Sequence, residues 1–101
     1  MSVGSAEVRG WTFLTNHAHV LLVVARDPMA RVRDIAEMVG ITERAAHAIV
    51  ADLEADGYLS RAKVGRRNRY TVNPEGRFRH RVEADRCVGD LLALFAIEPP
   101  P

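Results

Sequence analysis

The sequence predicts one mainly α-helical domain that carries a small β-hairpin. Apolar residues recur at the three- and four-residue spacing of amphipathic helices in three segments before Gly57 and in one near the carboxyl end. Directly after Gly57 the period changes to two, as in half-buried strands. The 101 residues suffice for a single modest core, and 48% hydrophobic with 27% charged residues is typical of a soluble globular protein.

The first helix is predicted over residues 16–26. Thr15 or Asn16 can cap its start, and Asp27-Pro28 ends it, because a residue before proline avoids the helical region. Its apolar residues cover more than one side of the helix. Such a helix usually packs against two neighbours, so we expect it to contribute to a subunit interface as well as to the core.

The second and third helices are separated by a very short turn. The second runs from about residue 32 or 33 to 39, and Gly40 provides its left-handed end. Thr42 is a good N-cap for the third helix, which is predicted from residue 43 to about residue 56 and ends at Gly57.

The third helix has an unusual outer face. Its predicted buried stripe consists of Ala46, Ile49, Val50 and Leu53. The opposite face carries Arg44, Ala48, Ala51 and Ala55, flanked by His47. Small side chains there would allow another surface to approach the backbone closely. The alternative explanation is simple helix propensity, since alanine is the best helix former.

The hairpin after Gly57 is rich in arginine. Two strands, each with an apolar and a basic face, are predicted around residues 61–64 and 69–72, with the loop Gly65-Arg66-Arg67-Asn68 between them. Glycine and asparagine both tolerate the positive φ of a tight reversal. We expect the loop arginines to point away from the core.

Charge is distributed unevenly along a chain whose formal net charge is only +1. Residues 60–81 hold eight basic residues and a single acid, Glu75, whereas the rest of the chain holds six basic and twelve acidic residues. This separation indicates a polyanionic partner that binds one face. The alternative is that the exposed arginines only solvate the hairpin.

A last helix is predicted from about residue 78 or 80 to 95. Its apolar stripe is Val88, Leu91, Leu92 and Phe95. Gly89 weakens this helix by about 1 kcal/mol relative to alanine, unless close packing needs the space. The stripe holds more apolar surface than a small domain needs, which predicts a homodimer through the first and last helices.

The segment VRDIAEMVGITERAAHAIVADLEADGYL, residues 32–59, resembles the helix-turn-helix of bacterial winged-helix transcriptional regulators. IAEMVGIT matches their turn pattern, and LEADGYL matches the end of their third helix. The last helix is similar to the terminal helix of the MarR-like and ArsR-like groups. The resemblance implies a winged helix-turn-helix: a three-helix DNA-binding core plus wing over residues 16–73 and a dimerisation helix over residues 78–96 of the single domain 1–101.

The resemblance also implies a site and a partner. The third helix would enter the major groove of double-stranded DNA with its N-terminus first. Arg44 could contact guanine, and an alanine methyl could pack on a thymine methyl. The hairpin would be the wing, on the backbone or in the minor groove. The expected DNA-binding residues are Thr42, Arg44, His47, Ala48, Arg61, Lys63, Arg66, Arg67, Asn68 and Arg69.

Several other functions receive little support from the sequence. No arrangement of catalytic residues points to an enzyme, and no cofactor or metal site is expected. Residues 1–10 lack a secretion signal and the apolar runs are too short for a bilayer, so we expect a cytoplasmic protein without membrane contact. The sequence leaves open whether the protein binds a small-molecule effector. The alternative functions are a winged helix that binds an acidic protein partner and an RNA-binding winged helix.

Overall fold

The computed structural model describes residues 10–98 and contains four helices and one two-stranded antiparallel sheet among them. In chain order these are α1 (Asn16–Arg26), α2 (Val32–Val39), α3 (Glu43–Ala55), β1 (Leu59–Val64), β2 (Arg67–Val72) and α4 (Val88–Leu94). The expectations for residues 1–9 and 99–101 lie outside the described part. The mainly α fold with a hairpin wing is confirmed.

Local capping determines the starts of α1 and α3 and the end of α2, as predicted. The Thr15 hydroxyl accepts a hydrogen bond from the Ala18 amide at 3.2 Å, and the Thr42 hydroxyl accepts one from the Ala45 amide at 3.0 Å. Gly40 ends α2 in the left-handed region, with φ of +87°. These contacts are formed by residues close in sequence, which is why the sequence reveals them.

Helix α1 is the centre of the core. The helix packs against α2, α3 and β2. The five residues of its middle are all buried: Val20, Leu21, Leu22, Val23 and Val24. Ile35 of α2, Leu53 of α3 and Tyr70 of β2 join the same cluster. The apolar residues on several sides of α1 are therefore used within the chain. The expectation that α1 contributes to a subunit interface rested on these apolar residues, and the contacts within the chain already account for them.

The hairpin turn is shorter than predicted. Val64 pairs with Arg67, so only Gly65 and Arg66 form the reversal, while Arg67 and Asn68 belong to β2. Gly65 has φ of +64°, as expected for the first central residue of a type II′ turn. A type II′ turn needs positive φ at its first central residue alone, and Asn68 lies in β2 without a positive φ.

The predicted apolar face of β1 is wrong. Ala62 and Val64 are exposed, and the buried residue of this strand is Leu59. In the observed register Leu59 lies opposite Val72, and Arg61 lies opposite Tyr70. Opposed residues share a face of the sheet. The face of the hairpin that carries Tyr70 and Val72 of β2 therefore carries Leu59 and the basic residues Arg61 and Lys63 of β1.

The last helix is much shorter than predicted. It begins at Val88 rather than near residue 78, because residues 77–87 form a loop closed by an antiparallel bridge between Arg77 and Cys87. At the start of α4 the Gly89 amide donates to the Pro74 carbonyl at 2.7 Å. A Cβ on Gly89 would lie 3.1 Å from the same oxygen, so this glycine permits close packing on the turn before the loop. The apolar stripe predicted for this helix begins at Val88, which is where the observed helix starts.

Candidate nucleic-acid interface

The outer face of α3 is open to solvent. The predicted buried stripe is buried, and all five residues predicted for the opposite face are exposed: Arg44, His47, Ala48, Ala51 and Ala55. No other segment of the described chain therefore covers this face. Beyond the first two turns it carries only methyl groups, so a partner can approach the backbone of the helix closely.

The polar groups of this face gather at the start of α3. The Thr42 hydroxyl oxygen is occupied by the Ala45 amide, but its own hydrogen remains available as a donor. Arg44 is exposed in the first turn, where the amide groups of the helix terminus add positive potential. The His47 ring lies 3.6 Å from the Glu43 carboxylate one turn earlier. This end of the helix can donate to acceptors of an anionic partner.

The acidic end of α3 is bound to its own chain. Asp52, Glu54 and Asp56 each have a basic partner on a different element: His17 at 2.9 Å, Arg61 at 3.0 Å and Arg79 at 3.2 Å, respectively. These three pairs join α3 to the start of α1, to β1 and to the loop 77–87. The two ends of α3 are therefore chemically different, with acids held against the body at one end and donors free at the other.

The hairpin presents basic residues on both of its faces. The register places Arg61, Lys63 and Asn68 on the face of Tyr70, whereas Arg67 and Arg69 lie on the face of the exposed Ala62 and Val64. The sequence predicted an apolar face and a basic face for each strand, and the register places the basic residues of the two strands on opposite faces of the hairpin. Arg66 lies at the turn and is exposed.

Two of the predicted DNA-binding arginines contact the protein itself. Arg61 pairs with Glu54, as described above. The Arg67 guanidinium donates to the Met29 carbonyl at 2.6 Å, in the connection between α1 and α2. For Lys63, Arg66 and Arg69 the structure records neither ion pairs nor side-chain hydrogen bonds with the described residues. Among the basic residues of the hairpin, these three are thus free to contact a polyanion.

The structure adds two basic residues that the sequence reasoning missed. Arg31 is the N-cap residue of α2, Arg33 lies in its first turn, and both are exposed. Both lie shortly after Met29, whose carbonyl accepts the hydrogen bond from Arg67. The sequence feature that could have indicated them is a pair of arginines at the start of an amphipathic helix. They lie outside the strongly basic segment 60–81, on which the prediction of basic binding residues was based.

A groove of about 840 Å³ lies away from the outer face of α3. It runs between the start of α1, the acidic end of α3 and the segment 77–91, and Leu21, Tyr58 and Leu91 contribute to its lining.

Among residues 10–98, no group of three or more His, Cys, Asp or Glu side chains is arranged to hold a metal ion. None of the helices in these residues is long and apolar enough to span a membrane.

The short turn between α2 and α3, the exposed α3 and the basic hairpin define a winged helix-turn-helix protein. A model of the MarR family matches residues 12–69, which is more than half of the chain. The chain belongs to the MarR family, whose members are transcriptional regulators rather than enzymes and bind DNA. Among curated proteins, no sequence matches the chain. The matched region ends within β2, so the loop 77–87 and α4 lie beyond it.

Proposed function

We propose that this protein is a sequence-specific regulator that binds double-stranded DNA through α3 and the wing, defined as residues 59–72. Residues 16–73 form the DNA-binding unit of a single domain. The N-terminal half of α3 enters the major groove, where Thr42, Arg44, His47 and Ala48 face base edges and phosphates. Lys63, Arg66, Asn68 and Arg69 of the wing lie on the backbone or in the adjacent minor groove.

The observation that carries this proposal is the polarity of α3. Its outer face is uncovered, its donors lie at the N-terminal end, and its acids at the other end contact basic side chains of its own chain. A helix docking N-terminus first brings the positive end of its dipole and Arg44 to the DNA. It keeps Asp52, Glu54 and Asp56 away from the phosphates, which they would repel.

The test is binding to a duplex selected from a random-sequence library. Arg44→Ala removes the side chain best placed for a bidentate contact with guanine, so we expect affinity for the selected duplex to fall by about 1–3 kcal/mol, with a smaller loss on unrelated duplexes. Arg81→Ala is the matched control, because it removes another exposed arginine, which lies in the loop 77–87. Equal affinity of wild type and R44A for every duplex would contradict the major-groove assignment.

We also propose that the regulator acts as a homodimer that reads two half-sites about one helical turn apart. Family members usually dimerise. The support within this chain comes from its last helix, since Leu94 of α4 is 75% exposed and Phe95 is 39% exposed. Because α1 is buried in its own core, the interface is assigned to α4 and not to the middle of α1.

Sedimentation at micromolar concentration tests the dimer. We expect the wild type to sediment as a dimer and Leu94→Asp as a monomer, because a buried carboxylate in an apolar interface is unfavourable. Met38→Asp is the matched control, since Met38 is a similarly exposed apolar residue, on α2. A monomeric wild type at this concentration would remove the dimer from the proposal and leave the DNA-binding surface in place.

The alternative is a winged helix that holds an acidic protein partner through the same basic wing. A gel shift with random duplex DNA at low and moderate salt separates the two functions, because only the regulator shifts duplex DNA. The described hairpin exposes no aromatic side chain on which a base could stack, so an RNA-binding role has less support.

A small-molecule effector would be sought in the groove beside α1. Its volume of about 840 Å³ lies within the range of small-molecule sites. Thermal-shift screening, followed by a gel shift with each compound that raises the Tm, tests whether binding in the groove alters DNA affinity. Compounds that stabilise the protein without changing DNA affinity would count against an effector role for this groove.

A further inference from the structure

We infer that Arg67 is a positioning residue, which fixes the wing to the connection between α1 and α2, and is not one of the phosphate-contacting arginines. This inference rests on the proposed DNA-binding function of the wing. It distinguishes Arg67 from its neighbour Arg66: both side chains are exposed and carry the same charge, but only Arg67 forms a hydrogen bond with the described residues.

The first support is the geometry along the outer edge of β2. Arg67 donates from Nη2 to the Met29 carbonyl at 2.6 Å, and the Tyr70 amide donates to the Pro28 carbonyl at 2.9 Å. Two consecutive carbonyls of one connection therefore bind two positions of the same strand. A bond from a charged guanidinium is shorter and stronger than one between neutral groups, so Arg67 anchors this edge near the turn.

The second support is a complementary contact on the other strand. Arg61 Nε lies 3.0 Å from the Glu54 carboxylate of α3, and this carboxylate is only 24% exposed. Arg61 and Arg67 lie on opposite faces of the hairpin. A two-stranded hairpin alone is marginally stable in water. Held on one face at its base and on the other near its tip, the hairpin has a fixed direction relative to α3.

In this arrangement Arg66 and Arg67 have different roles although their side chains are identical. The Arg67 contact fixes the orientation of the wing, and this orientation allows Lys63, Arg66 and Arg69 to contact phosphates. If Arg67 were released, these three cations would lose their common alignment with the DNA, whereas removal of Arg66 would cost one contact only.

Two variants, Arg67→Met and Arg66→Met, remove one charge each and keep a long unbranched side chain. In the free protein we expect Arg67→Met to speed amide hydrogen exchange at Tyr70 by roughly three- to tenfold, because the edge bond to Pro28 opens more often. Arg66→Met should leave it unchanged. Exchange at Ile49, in the middle of α3, reports global unfolding and should be equal in both variants.

The second measurement is the salt dependence of DNA binding. Arg66→Met should reduce the log–log slope by about 0.9, the value for one phosphate contact. Arg67→Met should reduce it by about 1.8 or more, since at least two cations lose their phosphates. Arg67→Lys keeps the charge but not the planar guanidinium, so we expect its Tyr70 exchange to stay faster than in the wild type.

The inference is overturned if Arg67→Met leaves Tyr70 exchange at the wild-type rate, or if it lowers the slope by about 0.9 just as Arg66→Met does. A wild-type protein that binds no duplex DNA would refute the proposed function separately, while the exchange measurement would still decide whether Arg67 anchors the wing.

Discussion

His17 Nε2 lies 2.9 Å from Asp52 Oδ2 and joins the first turn of α1 to the last turns of α3, 35 residues later in the chain. Both side chains are about half exposed, so solvent screens the pair. We therefore expect His17→Ala and Asp52→Asn each to lower the free energy of unfolding by at most about 1 kcal/mol.

A double-mutant cycle in urea unfolding measures the coupling between these two residues. The coupling energy should be about 0.2–1 kcal/mol. His19→Ala is the control, because the His19 ring contacts the Asn16 side chain within α1 and should show no coupling to Asp52→Asn. Equal coupling for both histidines would mean that the His17–Asp52 contact does not hold the two helices together.

Asp90 makes the start of α4 sensitive to acid. Its carboxylate accepts the Cys87 amide at 3.0 Å, and this backbone hydrogen bond is the main reason that the pKa of Asp90 is lowered. A carboxyl group with a depressed folded-state pKa stabilises the fold above its unfolded value of about 3.9. That stabilisation is lost as the pH falls through the lower folded-state value.

The comparison of wild type with Asp90→Asn tests this pH dependence. The wild type should be the more stable at pH 7, and the difference in unfolding free energy should shrink as the pH falls below about 4. Asp85→Asn, which removes an exposed carboxylate from the preceding loop, serves as the control. A difference that stays constant between pH 7 and pH 3 would contradict the role assigned to the ionised carboxylate.

The elements that the sequence predicted well are those defined by neighbouring residues. Thr15, Thr42 and Gly40 determine where helices begin or end through contacts within one turn, and the buried stripe of α3 follows from its period. The helix-turn-helix and the open face of α3 could therefore be predicted from the sequence, together with Arg44 and His47 on that face.

The features that the sequence did not reveal depend on distant partners. The strand faces depend on the pairing of Leu59 with Val72, which a pattern within one strand cannot specify. The loop before α4 is closed by the bridge between Arg77 and Cys87, which the spacing of apolar residues does not reveal. The inward contact of Arg67 needs the Met29 carbonyl, 38 residues away.

Gly76 is expected to tolerate no side chain. A Cβ at this position would lie 2.7 Å from Cδ1 of Tyr58, whose hydroxyl donates to the Arg77 carbonyl. Because the ring is held at both ends, it cannot move aside without losing that bond. We expect Gly76→Ala to lower the free energy of unfolding by about 1–3 kcal/mol, as overpacking does.

The companion variant for Gly76→Ala is Tyr58→Ala, which removes the ring. In urea unfolding, the double variant should lose less stability than the two single variants together, because the clash disappears with the ring. Strict additivity of the two losses would show that steric contact between these residues is not the cause.

The salt dependence of DNA binding should reflect three wing cations per protomer. Lys63, Arg66 and Arg69 lack protein partners among the described residues, and one phosphate contact each predicts a log–log slope of about −2.7 per protomer. A dimer on two half-sites doubles this value. Fluorescence anisotropy with a labelled duplex between 50 and 200 mM salt, roughly the range over which such slopes are resolved, measures it. A nearly flat dependence would contradict electrostatic binding by the wing.

Ala96 offers a stabilising substitution. It follows α4 in the left-handed region, with φ of +57°, and is the one residue other than glycine with positive φ among residues 10–98. The Ile97 amide donates back to the Leu92 carbonyl at 2.9 Å, as in a helix-ending Schellman motif. Left-handed backbone costs an alanine about 1–2 kcal/mol. Ala96→Gly should therefore stabilise the protein by about 0.5–1 kcal/mol, after the greater freedom of glycine in the unfolded chain is subtracted.

The control is Ala93→Gly, inside α4, which should destabilise the protein by about 1 kcal/mol. Thermal unfolding measures both, and a lower Tm for both variants would mean that the end of α4 does not adopt this conformation in solution.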